Sequence, residues 1–416
     1  MGEICLYILI ALIIYQFRGV ITKDYASLWS PMTVISLCYV YYVVYTYFVN
    51  KSDNYDIHAF DNDRFLIGAL VSFISLLIGF STKTKADFEK WNKAYSKNNL
   101  VPSAVLLFII AFAGYASFRG VHFTFTAEEN PMEYVNASFD HYFIELLLLH
   151  TTTFGLLMFC FKEKLGRKWL WFLFYYIVVT FLFAGTRSRL IYIAVVGLGI
   201  VYLYPKPKKP NYGLLAGMMV AMFILFSIME YSRSYSHGID MKAVATMDQR
   251  HMTKGAEENY SVFWFSSDVM NKYSETHNYA YFEPVLTAVF MPIPRAIFPW
   301  KPDAKYFMDA QTISYGTSTG GAFYLYFVEG FISFGWFGLI LFSWFLGWLS
   351  KRFWDNYRNN PQSIGAIIAL LVFNATCYAY VSRGYLASSL EIFIYAICLP
   401  FWIVKFAGKF FPIFRP

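Results

Sequence analysis

Arg187 and Arg189 fall in Gly-Thr-Arg-Ser-Arg (185–189), Arg383 stands alone in Ser-Arg-Gly (382–384), and Arg233 lies in Tyr-Ser-Arg-Ser-Tyr (231–235). Arg295 closes Pro-Ile-Pro-Arg (292–295), and Arg119 follows a long apolar run. A guanidinium is a planar fork that grips phosphate oxygens in pairs, which an ammonium cannot do. Taken singly, each of these arginines reads equally well as an anchor at a membrane surface. As a set they read as a cationic cavity for a phosphate-bearing ligand. Two carboxylates, Glu230 and Glu329, also sit at the ends of apolar runs. A carboxylate at that depth either pairs with an arginine or is available as a base. Both readings are open for these two.

The other candidate acids and bases lie between residues 231 and 325: His237, His251, Glu257, Glu258, Asp268, His277, Glu283, Asp303 and Asp309. Most of these acids are expected to be solvated, with His251, His277 and Asp268 held as reserve catalytic groups. The seven histidines show no HExxH and no clustered ligand spacing, so no catalytic metal is expected. Walker and GxGxxG patterns are absent, which argues against a bound nucleotide or dinucleotide cofactor. Cys5, Cys38, Cys160, Cys377 and Cys398 all lie in apolar runs without CxxC spacing, as small buried side chains would.

The elements that must position these groups are read from composition. The 416 residues are 57% hydrophobic and only 15% charged, whereas a soluble domain is about 25% charged. The chain is therefore expected to be an all-α polytopic membrane protein. A span needs about 20 apolar residues. That criterion predicts about 11 transmembrane helices, at 3–17, 30–50, 65–81, 101–118, 142–161, 168–184, 188–204, 212–230, 326–349, 363–382 and 385–404. Twenty basic residues against five acidic ones mark one set of connections, which the positive-inside rule makes cytoplasmic. The C-terminus is then cytoplasmic and the N-terminus outside. The net charge of +7 is accordingly a topology signal rather than a sign of nucleic-acid binding.

The chain is expected to form a single integral membrane domain, 1–416, with one large outer loop at 231–325. That loop turns apolar and Pro-rich over 281–302, which predicts short helices lying in the membrane interface. A Gly-Thr-Ser-Thr-Gly-Gly stretch (316–321) follows, offering backbone amides to an anion or a hinge. On the outer side the arginines break the charge rule, and a lipid-linked pyrophosphate is the ligand that fits their depth.

These pieces, in order, resemble the bacterial O-antigen (Wzy-type) polymerases, the oligosaccharide repeat-unit polymerases. The matching residues are Ala-Gly-Thr-Arg-Ser-Arg (184–189), Pro-Ile-Pro-Arg-Ala-Ile-Phe-Pro-Trp-Lys-Pro (292–302), Gly-Thr-Ser-Thr-Gly-Gly (316–321), Glu329 with Ser-Phe-Gly-Trp-Phe-Gly (333–338), and Ser-Arg-Gly (382–384). They cover roughly residues 180–390, while the first third matches only as spans. Arg187 and Arg189 lack the downstream glycine of the longer arginine–glycine pattern that some members carry, so that subgroup's loop mechanism is not expected here.

The resemblance implies a multi-pass glycosyltransferase of the cytoplasmic (inner) membrane that polymerises undecaprenyl-pyrophosphate-linked oligosaccharide units at the outer face. Arg187, Arg189, Arg233, Arg295 and Arg383 would hold the pyrophosphates without a metal, and Glu329 would be the first candidate base. Trp264, Tyr279, Tyr281, Trp300, Tyr306 and Tyr315 would be available to stack on sugars or to belt the interface. Membrane lipids and a polysaccharide chain-length regulator are the further partners implied. An O-antigen ligase uses the same donor and is the nearest alternative. A lipid-linked oligosaccharide flippase or transporter is the alternative from another class, and would call for broken helices and ionisable residues within the membrane.

Overall fold

The computed structural model describes residues 1–49, 56–59, 61–84, 88–119, 146–184, 187–218, 220, 258–293, 297–316 and 323–416. Within these, the side chains at 20, 59, 115–119, 163–165, 167, 177–184 and 187–189 lie outside the description. The described residues form helices and no strand. The principal helices, in chain order, are α1 (Gly2–Gln16), α2 (Pro31–Val49), α3 (Asp63–Ser81), α4 (Leu100–Arg119), α5 (Leu149–Leu165), α6 (Trp169–Ala184), α7 (Arg187–Leu203), α8 (Glu258–Thr276), α9 (Glu283–Phe290), α10 (Lys305–Tyr315), α11 (Tyr326–Asn359), α12 (Ile364–Arg383) and α13 (Leu386–Phe410).

Among the described residues, five are long and apolar enough to cross a membrane: α2, α3, α11, α12 and α13. Shorter apolar helices occupy Gly2–Gln16, Leu100–Gly114, Leu146–Lys162 and Leu190–Leu203. The expected stretch 212–230 is helical over 212–218, and most of its remainder lies outside the described residues. In lipid, helix is the form that satisfies every backbone group within its own segment.

The chain divides into two compact units interleaved in sequence. One comprises residues 1–87, 257–359 and 376–391, and the other 88–256, 360–375 and 392–416. In the second unit, glycines let helices approach closely. A Cβ at Gly199 would meet Leu371, and one at Gly155 would lie 3.2 Å from Val196. Lys162 of α5 donates to the carbonyls of Ile200 (3.0 Å), Val201 (3.1 Å) and Tyr204. It thereby satisfies acceptors that the C-terminal end of α7 leaves open.

In the first unit, α3 and the later part of α11 run parallel. Contacts ascend together from Gly68–Leu339 through Leu76–Gly347 to Thr84–Asp355, the last a 2.9 Å hydrogen bond. A Cβ at Gly79 would strike the Trp344 carbonyl, and one at Gly347 the Leu76 carbonyl. Small residues that let backbones touch are what drives such packing where both surroundings are apolar.

The run 326–349, expected as one continuous span, is broken. Phe334 (φ −142°, ψ 28°) and Gly335 (φ 60°, ψ −142°) leave helical geometry, dividing α11 into a short arm, 326–333, and a long arm, 336–359. The arms fold back on each other. A Cβ at Gly330 would lie 2.8 Å from the Gly338 carbonyl oxygen, and Tyr326 donates to Ser343 Oγ at 3.2 Å. Eight residues of continuous helix would hold Gly330 and Gly338 about 12 Å apart. The long arm, at about 36 Å, still suffices for a core of roughly 30 Å.

Candidate functional site

The short arm is seated at both ends. At its start, the Tyr39 hydroxyl lies 3.1 Å from that of Tyr326 and 2.5 Å from Ser72 Oγ. At its finish, the amides of Ala280 and Tyr281 each donate at 2.8 Å, to the carbonyls of Ile332 and Ser333. These are carbonyls that a helix end leaves without partners. Phe282 packs on Phe334 at the tip (ring centroids 5.0 Å apart).

Glu329 lies in the middle of this arm, fully buried. Its Oε1 accepts the Tyr306 hydroxyl at 2.7 Å. The amide of Leu386, first residue of α13, donates to Oε1 at 3.1 Å and to Oε2 at 3.0 Å. The carboxylate thus caps a helix start, where the backbone dipole favours negative charge. The phenols of Tyr324, Tyr380 and Tyr385 lie close enough to feel that charge. Of the two readings left open, no ion pair with an arginine is seen among the described residues, where Glu329's hydrogen bonds come from a phenol and a backbone amide.

Tyr306 sits near the start of α10, where its own amide donates to Glu283 Oε1 at 2.9 Å. Burial, with the Glu329 carboxylate beside it, holds the Tyr306 hydroxyl well above the usual phenol range. The Tyr324 hydroxyl is pushed up by the same two causes. Both are fully buried. Tyr306 therefore does not present its ring for stacking on a sugar, as the sequence reading allowed, whereas Trp300 is 83% exposed.

Arg383 ends α12, three residues before Leu386. It lies 3.8 Å from Glu258 and over the ring of Phe323 at 5.0 Å. The turn is tight because Gly384 adopts φ +48°, and a Cβ there would meet the Tyr324 carbonyl. Only glycine tolerates both conditions. Ser-Arg-Gly is thereby the hinge point that brings Arg383, Tyr324 and the start of α13 together.

The remaining predicted groups are placed as follows. Asp268 pairs with Lys272 one turn on in α8 at 3.0 Å. His277 is exposed at the end of α8 with φ +53°, its amide donating to the Tyr273 carbonyl at 2.9 Å, so it acts as the helix stop. Arg187 and Arg189 open α7 in the second unit, but their side chains lie outside the described residues. His251, Arg233, Arg295, Glu230 and most of the glycine-rich stretch 316–321 also lie outside them. The expected interfacial segment leaves Tyr281, Phe282, Leu286, Val289, Ile297 and Trp300 exposed, the row of apolar side chains such a segment presents to lipid.

Three features escape the sequence reading. Glu258 and Glu283 are not merely solvated loop acids, since one pairs with Arg383 and the other caps α10. Glu391, 3% exposed in α13, is a second buried carboxylate near Tyr385. A lone glutamate six residues into an apolar run carried a signal for it. No family model, curated protein or solved structure matches this chain.

Proposed function

We propose that the chain is a multi-pass glycosyltransferase that polymerises lipid-pyrophosphate-linked oligosaccharide units at the outer face of the cytoplasmic membrane. This reading takes the expected topology of about 11 spans, with the N-terminus outside and the C-terminus cytoplasmic. The observation that carries it is the convergence on one inter-helix turn of a buried carboxylate, Glu329, and an arginine, Arg383. The anomeric carbon of the growing chain would lose its bond to the pyrophosphate oxygen, which leaves with the electron pair. The acceptor sugar hydroxyl would form the new glycosidic bond, its proton passing to Glu329. Arg383, released from its long contact with Glu258, would offset the charge developing on the leaving pyrophosphate. Arg187, Arg189, Arg233 and Arg295 keep the pyrophosphate-binding role that the resemblance implies, and His251, His277 and Asp268 stand in reserve as proton carriers.

Purified Glu329→Gln and Arg383→Lys variants, given lipid-linked repeat units, are expected to make no ladder of polymer lengths and a much reduced one, respectively. Wild-type ladders from both would overturn the assignment. A ligase would form no polymer from repeat units alone.

The broken helix α11 and its buried glutamate also favour a second reading, a transporter of lipid-linked sugar, because half-helices with intramembrane charges build such sites. Movement of lipid-linked sugar across otherwise empty proteoliposomes, with no polymer formed, would decide for it.

A further inference from the structure

We propose that the Tyr306 hydroxyl is a removable stand-in for a substrate hydroxyl on Glu329, and that Tyr324 binds a neighbouring hydroxyl of the same sugar. The inference rests on the glycosyl-transfer reading and names where its acceptor binds. A base must hold the hydroxyl that it deprotonates at about 2.6–3.2 Å. Tyr306 Oη already occupies that position on Glu329 Oε1, at 2.7 Å.

The occupant is carried by α10 and not by the arm that holds Glu329. α10 is an 11-residue helix outside the spans, ending at Gly316 with φ +72°. Its polar ties include the Tyr306 amide to Glu283 and Lys272 Nζ to the Ile313 carbonyl at 2.9 Å, and Phe307 packs on Tyr324 and Tyr385 with ring centroids 5.4 and 5.0 Å apart. By contrast, Glu329 itself is on the short arm, gripped at both ends.

What lies beneath is also incomplete as it stands. The Tyr324 hydroxyl is fully buried with no hydrogen-bond partner among the described residues. It lies near both Tyr306 and Glu329. Buried hydroxyls are rarely left unmatched. An acceptor sugar in place of the Tyr306 phenol would donate one hydroxyl to Glu329 and could reach Tyr324 with a neighbouring hydroxyl, which the phenol's single oxygen does not.

The test uses the full chain in lipid nanodiscs and dicyclohexylcarbodiimide, which modifies buried carboxyl groups from the apolar phase. The adduct on the Glu329 peptide is timed by mass spectrometry. Tyr306→Phe is expected to be modified at least about tenfold faster than wild type, the loss of one hydrogen bond to a charged group. Glu283→Gln, which loosens α10 without touching the phenol, is expected to fall between the two, and it decides the matter if Tyr306→Phe is not monodisperse. Equal rates would overturn the proposal. In the ladder assay, Tyr306→Phe should lower the acceptor KM and Tyr324→Phe should raise it, with smaller effects on kcat. A raised KM in Tyr306→Phe would also overturn the proposal. A wild type that makes no polymer sinks the glycosyl-transfer reading, while the labelling rates still report whether Tyr306 covers Glu329.

Discussion

Removing the Glu329 side chain should destabilise the fold by an amount that its hydrogen bonds set. Glu329→Ala leaves the Tyr306 hydroxyl and the Leu386 amide buried without an acceptor. Each orphaned group costs about 1–3 kcal/mol, so the variant should lose about 2–6 kcal/mol before any cavity is counted. Glu329→Gln keeps one acceptor oxygen but turns the other into a donor facing the Leu386 amide. Neutral hydrogen bonds are roughly half as strong as charge-assisted ones, so its loss should be about 1–3 kcal/mol.

The two sites should also couple. Tyr306→Phe alone gives up a bond to a carboxylate, while in Glu329→Ala the phenol is already orphaned, so the double variant should lose less than the sum. A coupling of about 1–3 kcal/mol is expected for groups in direct contact. The assay is reversible unfolding of the four proteins in mixed micelles by SDS titration. A Glu329→Ala variant within about 0.5 kcal/mol of wild type, or strictly additive losses, would refute the placement of Glu329 at this junction, whatever the chain's activity.

Three other substitutions probe the frame. Gly384→Ala puts a Cβ at positive φ and against the Tyr324 carbonyl, so it should cost about 1–2 kcal/mol for the left-handed backbone alone and more for the collision, read in the same titration. Gly347→Leu should separate α11 from α3 and cost about 3 kcal/mol or more, with Gly347→Ala milder; equal stability would contradict the parallel packing. Lys162→Ala should free the carbonyls at the end of α7, raising hydrogen exchange at amides near 200–204 and costing about 1–2 kcal/mol.

The apolar helices were legible because lipid imposes a composition that no soluble chain needs. The break at Gly335 was not, for a physical reason. A short arm folded against a long one is as apolar as a single span, and a hydropathy run does not record a reversal of direction. The spacing Gly330, Gly335, Gly338 was the one available signal, since two arms whose backbones touch need a residue without Cβ on each side. Glu329 was visible because a carboxylate in such a run is rare. Its partners were hidden: Tyr306 lies 23 residues before it and Leu386 57 residues after it, and the latter contributes a backbone amide, which any residue type supplies. Tyr306 itself reads in the sequence as a ring for stacking on sugars or for belting the interface, because nothing local distinguishes a buried phenol from an exposed one.

The reversal in α11 changes what Glu329 means. On an unbroken span, a carboxylate near the end would face the interface and could be satisfied by water or a surface arginine. On a short arm turned back into the protein it is fully buried, and among the described residues its donors are the Tyr306 hydroxyl and the Leu386 amide. These two donors differ in place. The Leu386 amide is held at the start of α13, just after the Gly384 turn that lies against Tyr324, and Tyr306 is carried by a helix of the long connection. Tyr306 is the donor that could be withdrawn without unwinding a span. On the glycosyl-transfer reading proposed above, its withdrawal would open Glu329 to the acceptor, and the connection that carries α10 would then be part of the site.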